Sequence, residues 1–192
     1  MTTELNYSKI LDDLQKESHF YAKQEGFLSN TNHNDSVDAF RHIFSSALLT
    51  VENGKYIQQF FGDMHELLTQ NPTDAKIMDY YNNEIGREIG EKINNNKNNL
   101  KFKNKDELKR YIAYEVSETI KSNKAITKLS DKRIKQVMNN IPDNPLRIYT
   151  REEIDKMTTA DFSKKEKIFL NNLKIMVFQE ILKPKKELKQ EI

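Results

Sequence analysis

A chain of 192 residues with 31 Lys and Arg, 29 Asp and Glu and 36% hydrophobic residues can bury one core beneath a heavily solvated surface. Five glycines and four prolines leave too few breakers for an all-β sandwich, and the absence of cysteine excludes disulfides and thiolate metal sites. The net charge of +2 hides an asymmetry: residues 1–96 hold 8 Lys/Arg against 15 Asp/Glu, a net of −7, and residues 97–192 hold 23 against 14, a net of +9. No apolar run approaches the roughly 18 to 20 residues of a membrane span, and the first residues lack a signal peptide's basic and apolar regions. A soluble protein is expected.

Residues 4–28 place Leu5, Ile10, Leu11, Leu14, Phe20 and Tyr21 at helical spacing, with His19 beside Phe20. Ser29 to Ser36 is dense in side chains that cap helices, and it opens a helix over about 37–51 that Asn53-Gly54 ends. On that helix Phe40, Phe44 and Ala47 form a core face, and Asp38, His42 and Ser45 form another. Asp38 and His42 are i and i+4, so they meet on one side. Lying across from the core face, His42 is expected to be trimmed at little cost to stability.

The next helix, about 55–69, buries Tyr56, Ile57, Phe60, Phe61, Met64, Leu67 and Leu68, with His65 at the edge of that face and Glu66 behind it. Asn71-Pro72-Thr73-Asp74 then starts a helix that runs to about Asn94. Along it Asp79, Asn83, Gly86 and Gly90 fall within an arc of roughly 60°. Ile85, Ile89 and Ile93 border this stripe while Glu84, Glu88 and Glu91 point away, so the stripe faces inward. The asparagine-rich residues 94–99 read as a loop or linker. A helix over about 105–122 has Leu108, Ile112, Val116 and Ile120 inside, and Ser130 caps a short one to Asn140. Pro142 and Pro145 force a turn, Thr150 to Glu153 has capping-box spacing, and a last helix spans about 160–182. The fold class is all-α: a core of about four helices over residues 1–95, with basic helices over 100–192 packed around or beside it.

No HExxH, GxSxG elbow, EF-hand loop or glycine-rich phosphate loop is present, since His65-Glu66 lacks a second histidine. The chemistry is concentrated in the first half. His42, with an ordinary pKa of about 6.5, suits a general base or nucleophile near neutral pH. Asp38 would fix its tautomer and stabilise the imidazolium. Arg41 and Arg87 are candidates to clamp phosphoryl oxygens, and His65, Glu66 and Asn82 are further candidates for substrate contact. Asp79 and Asn83, with Asp38, are a set that holds either a divalent cation or a polar group of the substrate. Their oxygens favour calcium or magnesium over zinc. Gly86 and Gly90 let a neighbouring helix or a lipid chain come close. The same residues also fit a purely structural reading, in which Asp38 supports the helix dipole, His42 bonds Asp38 and Asn83 bonds backbone.

The ordered pair D-x-x-x-H, then E, then D-x-x-x-N-x-x-G-x-x-x-G is carried by Asp38, His42, Glu66, Asp79, Asn83, Gly86 and Gly90. It resembles the VanZ proteins, and Arg87 resembles the N-x-x-G-R ending of the serum amyloid A family. Both are placed in a proposed helical superfamily, the lipocone, with phosphatidylserine synthases, Wnt-like domains and the TelC toxin. The resemblance covers about residues 33–93 and implies work on the phosphate-bearing head groups of phospholipids or polyprenyl lipids. VanZ proteins are integral to the membrane, unlike the protein expected here, and the C-terminal half lies outside the resemblance. Tyr149 to Phe162 is similar to segments near the ends of phage head and bacterial toxin proteins. Together these imply an antibacterial effector, made in a bacterial cytoplasm and exported without a signal peptide, with an immunity protein and secretion machinery as partners. The expected activity is hydrolysis or transfer of lipid-phosphate head groups; the alternatives are a non-catalytic lipid- or partner-binding module and a nuclease-type toxin. The basic C-terminal half fits an anionic membrane surface. Nucleic acid is the weaker fit as a partner, because the aromatic residues are not arranged as a stacking platform.

Overall fold

A computed structural model describes residues 7–29, 33–56, 58, 59, 62, 65 and 71–140. The described residues form helices and no strand, so the fold is all-α as expected. The helices are α1 (Tyr7–Gln24), α2 (Ser36–Asn53), α3 (Thr73–Asn95), α4 (Lys105–Lys121) and α5 (Lys132–Asn140). Between α2 and α3, Lys55, Tyr56, Gln58, Gln59, Gly62 and His65 are helical.

Helix α2 is the centre of the described helices. Its first turn is set by Asp35, whose carboxylate accepts the backbone N–H groups of Val37 and Asp38 at 2.9 Å each. Ser29 donates its hydroxyl to the same carboxylate, which ties the incoming loop to the cap. Gly54 ends the helix at φ 91°, a left-handed value that favours glycine, and donates its N–H to the Thr50 carbonyl. The apolar side of α2 buries Phe40, Ile43, Phe44 and Ala47 completely. Phe44 stacks on Tyr21 of α1 at 5.3 Å, and Ile112, Ala113 and Val116 of α4 close the same core. The core is thus continuous across residues 94–99, and α4 belongs to it together with α1 and α2. A smaller cluster joins Ile77 and Met78 of α3 to Ile126 and Ile134.

The other side of α2 meets α3 at unusually close range. A Cβ placed on Gly86 would lie 2.4 Å from the Ile43 carbonyl oxygen, and one on Gly90 would lie 2.5 Å from the Thr50 Cβ. The two glycines therefore admit a neighbouring helix, which settles that part of their sequence reading. Ser46, Ala47 and Thr50 are the small residues that complete the contact on α2.

Three sequence expectations are corrected here. Tyr56 and Phe20 are 58% and 57% exposed, although their spacing placed both on apolar faces. The short helix α5 starts on Asp131, whose carboxylate accepts the Arg133 N–H at 2.9 Å, and not on Ser130. Ile57, Phe60, Phe61, Met64, Glu66, Leu67 and Leu68 lie outside the described residues, as do the turn at Pro142 and Pro145, the helix expected over 160–182 and the Tyr149–Phe162 segment.

Candidate functional site

The close approach of α2 and α3 brings two polar stripes face to face. His42 Nε2 lies 3.3 Å from Asp79 Oδ1 and 3.6 Å from Asp38 Oδ1, and its Nδ1 lies 3.3 Å from Asn83 Oδ1. Asp38, His42, Asp79 and Asn83 thus converge on one point although 41 residues separate His42 from Asn83. They are 3%, 8%, 3% and 4% exposed. His42 is therefore buried between helices, and the expectation of a surface-like histidine fails. The reason is that α2 has two covered sides, an apolar one against α1 and α4 and a polar one against α3.

Arg41, beside His42 on α2, donates to the Asp38 carboxylate and holds its Nη2 3.3 Å from His42 Nε2. Asp38 is further held by the Asn34 backbone N–H at 2.6 Å. A cavity of about 280 Å³ opens beside this group. Ile10, Leu11 and Leu14 of α1 and Leu49 of α2 give it an apolar wall, and Arg41, His42, His65 and His33 a polar one. The His65 ring centre is 6.5 Å from that of His42.

Burial holds the His42 pKa well below its ordinary value of 6.5, and the positive charge of Arg41, joined by His65 whenever that ring is protonated, pushes in the same direction against the Asn83 contact. The His65 pKa is lowered as well, by burial and then by Arg41. Both imidazoles are neutral at neutral pH, the form a base or a metal ligand needs. The unfolded chain takes up these protons near pH 6.5 while the folded protein refuses them, so stability is intact above that pH and falls as pH drops below it. Each histidine contributes a slope of at most about 1.4 kcal/mol per pH unit. Denaturant titrations at pH 7.5 and 5.5 are expected to show this loss, and a shallower one in His42→Gln; equal stability at both values would remove the buried neutral pair.

Asp38, His42 and Asp79 each offer one ligand atom, all within 4.8 Å of one another, so these three could hold a cation. Asn83 does not complete the oxygen set expected from the sequence, because its Oδ1 accepts from the Ser46 hydroxyl at 2.8 Å and faces His42. One nitrogen with two carboxylates suits zinc or manganese as well as magnesium. The Arg41 guanidinium lies against two of the three ligands, so it supplies the positive charge at this point and a metal ion would have to displace it.

Two candidates point elsewhere. Arg87, 5% exposed, spends its donors on Glu84 Oε2 and on Gln58 Oε1 at 2.9 Å, so it does not reach the cavity as a phosphate clamp. Asn82, fully buried, grips the backbone of Ile126, donating to its carbonyl at 2.8 Å and accepting its N–H at 3.0 Å. It fixes the segment after α4 and is not among the side chains that line the cavity. Sequence reasoning missed Ser46 and Gln58. Ser46 stands one turn beyond His42, and Gln58, Gly62 and His65 share helical spacing, so the signal was present in both cases.

The fold and site define an all-α protein with a buried His–Asp–Asn cluster opening on a half-apolar cavity. Residues 13–124 match the family model described as Domain of unknown function (DUF6973), and the chain belongs to that family. The matched region contains the whole cluster and runs unbroken through the asparagine-rich stretch into α4 and beyond. No curated protein and no solved structure matches the chain.

Proposed function

We propose that this protein cleaves or transfers the phosphate-bearing head group of a lipid, in the manner of an exported antibacterial effector. The observation that carries the chemistry is a neutral, buried histidine and an arginine side by side in the lining of a cavity that Ile10, Leu11, Leu14 and Leu49 also line. An amphiphile with a phosphorylated head suits such a cavity, the head beside Arg41 and the chain along Ile10, Leu11 and Leu14. Arg41 Nη2 lies 3.3 Å from His42 Nε2, so a phosphoryl group held by Arg41 would stand next to the imidazole. His42 then takes a proton from water or an acceptor hydroxyl, and the Asp79 and Asp38 carboxylates stabilise the imidazolium that forms. A divalent cation at Asp38, His42 and Asp79 would instead polarise the phosphoryl oxygens. The effector setting, with its immunity protein and secretion machinery, is carried by the resemblance to toxin-related proteins.

The test offers the purified protein defined vesicles, anionic and neutral, with DNA and RNA alongside, and measures soluble phosphorylated product. Release from lipid is expected, falling at high salt because the net charge of +9 over residues 97–192 draws the chain to anionic surfaces. Cleavage of nucleic acid alone would transfer the site to a nuclease. Vesicle binding without product would make the protein a lipid-binding module.

A further inference from the structure

Behind His42 the buried polar side chains form a chain of hydrogen bonds whose direction is fixed at its far end. Arg87 can only donate, and its Nη1 donates to Gln58 Oε1 at 2.9 Å. That turns the Gln58 amide so that Nε2 faces Ser46 and donates to Oγ at 2.6 Å. The Ser46 hydroxyl, already accepting there, gives its own proton to Asn83 Oδ1 at 2.8 Å. The same oxygen lies 3.3 Å from His42 Nδ1 and is satisfied there only by N–H, whereas Nε2 lies 3.3 Å from both a donor, Arg41 Nη2, and an acceptor, Asp79 Oδ1, and can take either form. Turning the Asn83 amide round would aim two donors at the Ser46 oxygen and leave the Ser46 proton without its acceptor. Gln58, Ser46, Asn83 and Arg87 are at most 5% exposed, a setting that strengthens each bond of the chain.

We propose that Arg87, acting through Gln58, Ser46 and Asn83, sets the tautomer of His42, with the proton on Nδ1 and the lone pair on Nε2. Arg87 is then a positioning residue for the imidazole. The lone pair is directed to the side where Arg41, Asp38 and Asp79 converge. With the opposite tautomer, Nε2 would already carry its proton beside Arg41 and could not accept one from a group held there. The catalytic consequence rests on the reading of His42 as the base; the tautomer itself does not.

Long-range nitrogen–proton NMR spectra of the full ¹⁵N-labelled chain at pH 7.5 distinguish the two tautomers. The wild type is expected to show His42 protonated at Nδ1. Gln58→Glu keeps the shape and the bond to Arg87 but offers Ser46 an acceptor in place of a donor. The Ser46 proton turns toward it, and the Nδ1-protonated share is expected to fall to about half or less. Ser46→Ala, which removes the link, should move it the same way and decides the matter should Gln58→Glu fail to fold. In either variant kcat for head-group release should fall with KM unchanged. A wild-type His42 protonated at Nε2 overturns the proposal outright, as does an unchanged tautomer in a folded variant. Because the spectra are recorded without substrate, an Nδ1-protonated His42 in a protein that cleaves no lipid would sink the enzyme reading and leave this one standing.

Discussion

Replacing His42 by glutamine is expected to leave a folded protein whose release of lipid head groups is at least about a hundredfold slower. Glutamine keeps much of the volume and an N–H that reaches Asn83 Oδ1, so the interface between α2 and α3 stays filled. What it lacks is a group that takes up a proton near neutral pH. Alanine is the harsher change. It leaves the Asn83 oxygen and the two carboxylates facing a void, at a cost of about 1–3 kcal/mol and not the fraction of this that a surface-like histidine would imply. Circular dichroism and thermal melts give the fold, and phosphorylated product gives the rate. A folded, fully active His42→Gln removes His42 from the mechanism. Loss of fold in the glutamine variant as well would make the cluster structural. Asp79→Asn should slow the reaction with the fold intact, because Asp79 stands 3.3 Å from Nε2, where the imidazolium charge appears.

The all-α class and the helix limits were legible because period and capping agreed. Asp35 does cap α2, Asn104 caps α4 by accepting the Glu107 N–H, and α3 starts directly after Pro72. The inward stripe of Asp79, Asn83, Gly86 and Gly90 was legible for the same reason, since an arc of small and polar residues between isoleucines has no place on a solvated face. What a single helical wheel could not show is which second helix would cover it. His42 looked peripheral because Phe40 and Phe44 define only one of the two covered sides of α2.

The arginines show the same limit. Arg41 and Arg87 are alike in sequence, each next to a stripe residue, yet Arg41 borders the cavity and Arg87 is turned to Gln58 and Glu84. Only the packing of the helix that carries Gln58 against α2 and α3 separates them, and no local pattern encodes that. Asn82 was assigned to substrate by its place in the motif. Its amide instead matches a free backbone pair at Ile126, 44 residues along the chain.

The α2–α3 contact yields the largest expected effect on the fold. Gly86→Ala gains about 0.8–1 kcal/mol of helix propensity and would stabilise an exposed helix. Here the new Cβ falls 2.4 Å from the Ile43 carbonyl oxygen and 2.5 Å from the Ser46 Cβ, and an obstructing backbone cannot turn aside as a side chain can. The helices must part, and overpacking of this kind costs about 1–3 kcal/mol, which outweighs the gain. Gly86→Leu adds three more carbons at the same place and is expected not to fold, since total stabilities are only about 5–15 kcal/mol. Separation also acts on the site: Asn83 lies one turn before Gly86, and its bonds to Ser46 and His42 cross the gap that widens. Gly86→Ala should therefore lose activity beyond its loss of stability. Gly62→Ala is the matched control for stability, because among the described residues the atoms nearest its Cβ belong to the Gln58 and Asn83 side-chain amides, at 3.3 and 3.4 Å, and those can give. Thermal melts of the pair, with head-group release measured on Gly86→Ala, decide it. A Gly86→Ala protein that melts above the wild type with full activity would mean that α2 and α3 do not meet at this distance, and the convergence of Asp38, His42, Asp79 and Asn83 would fall with them.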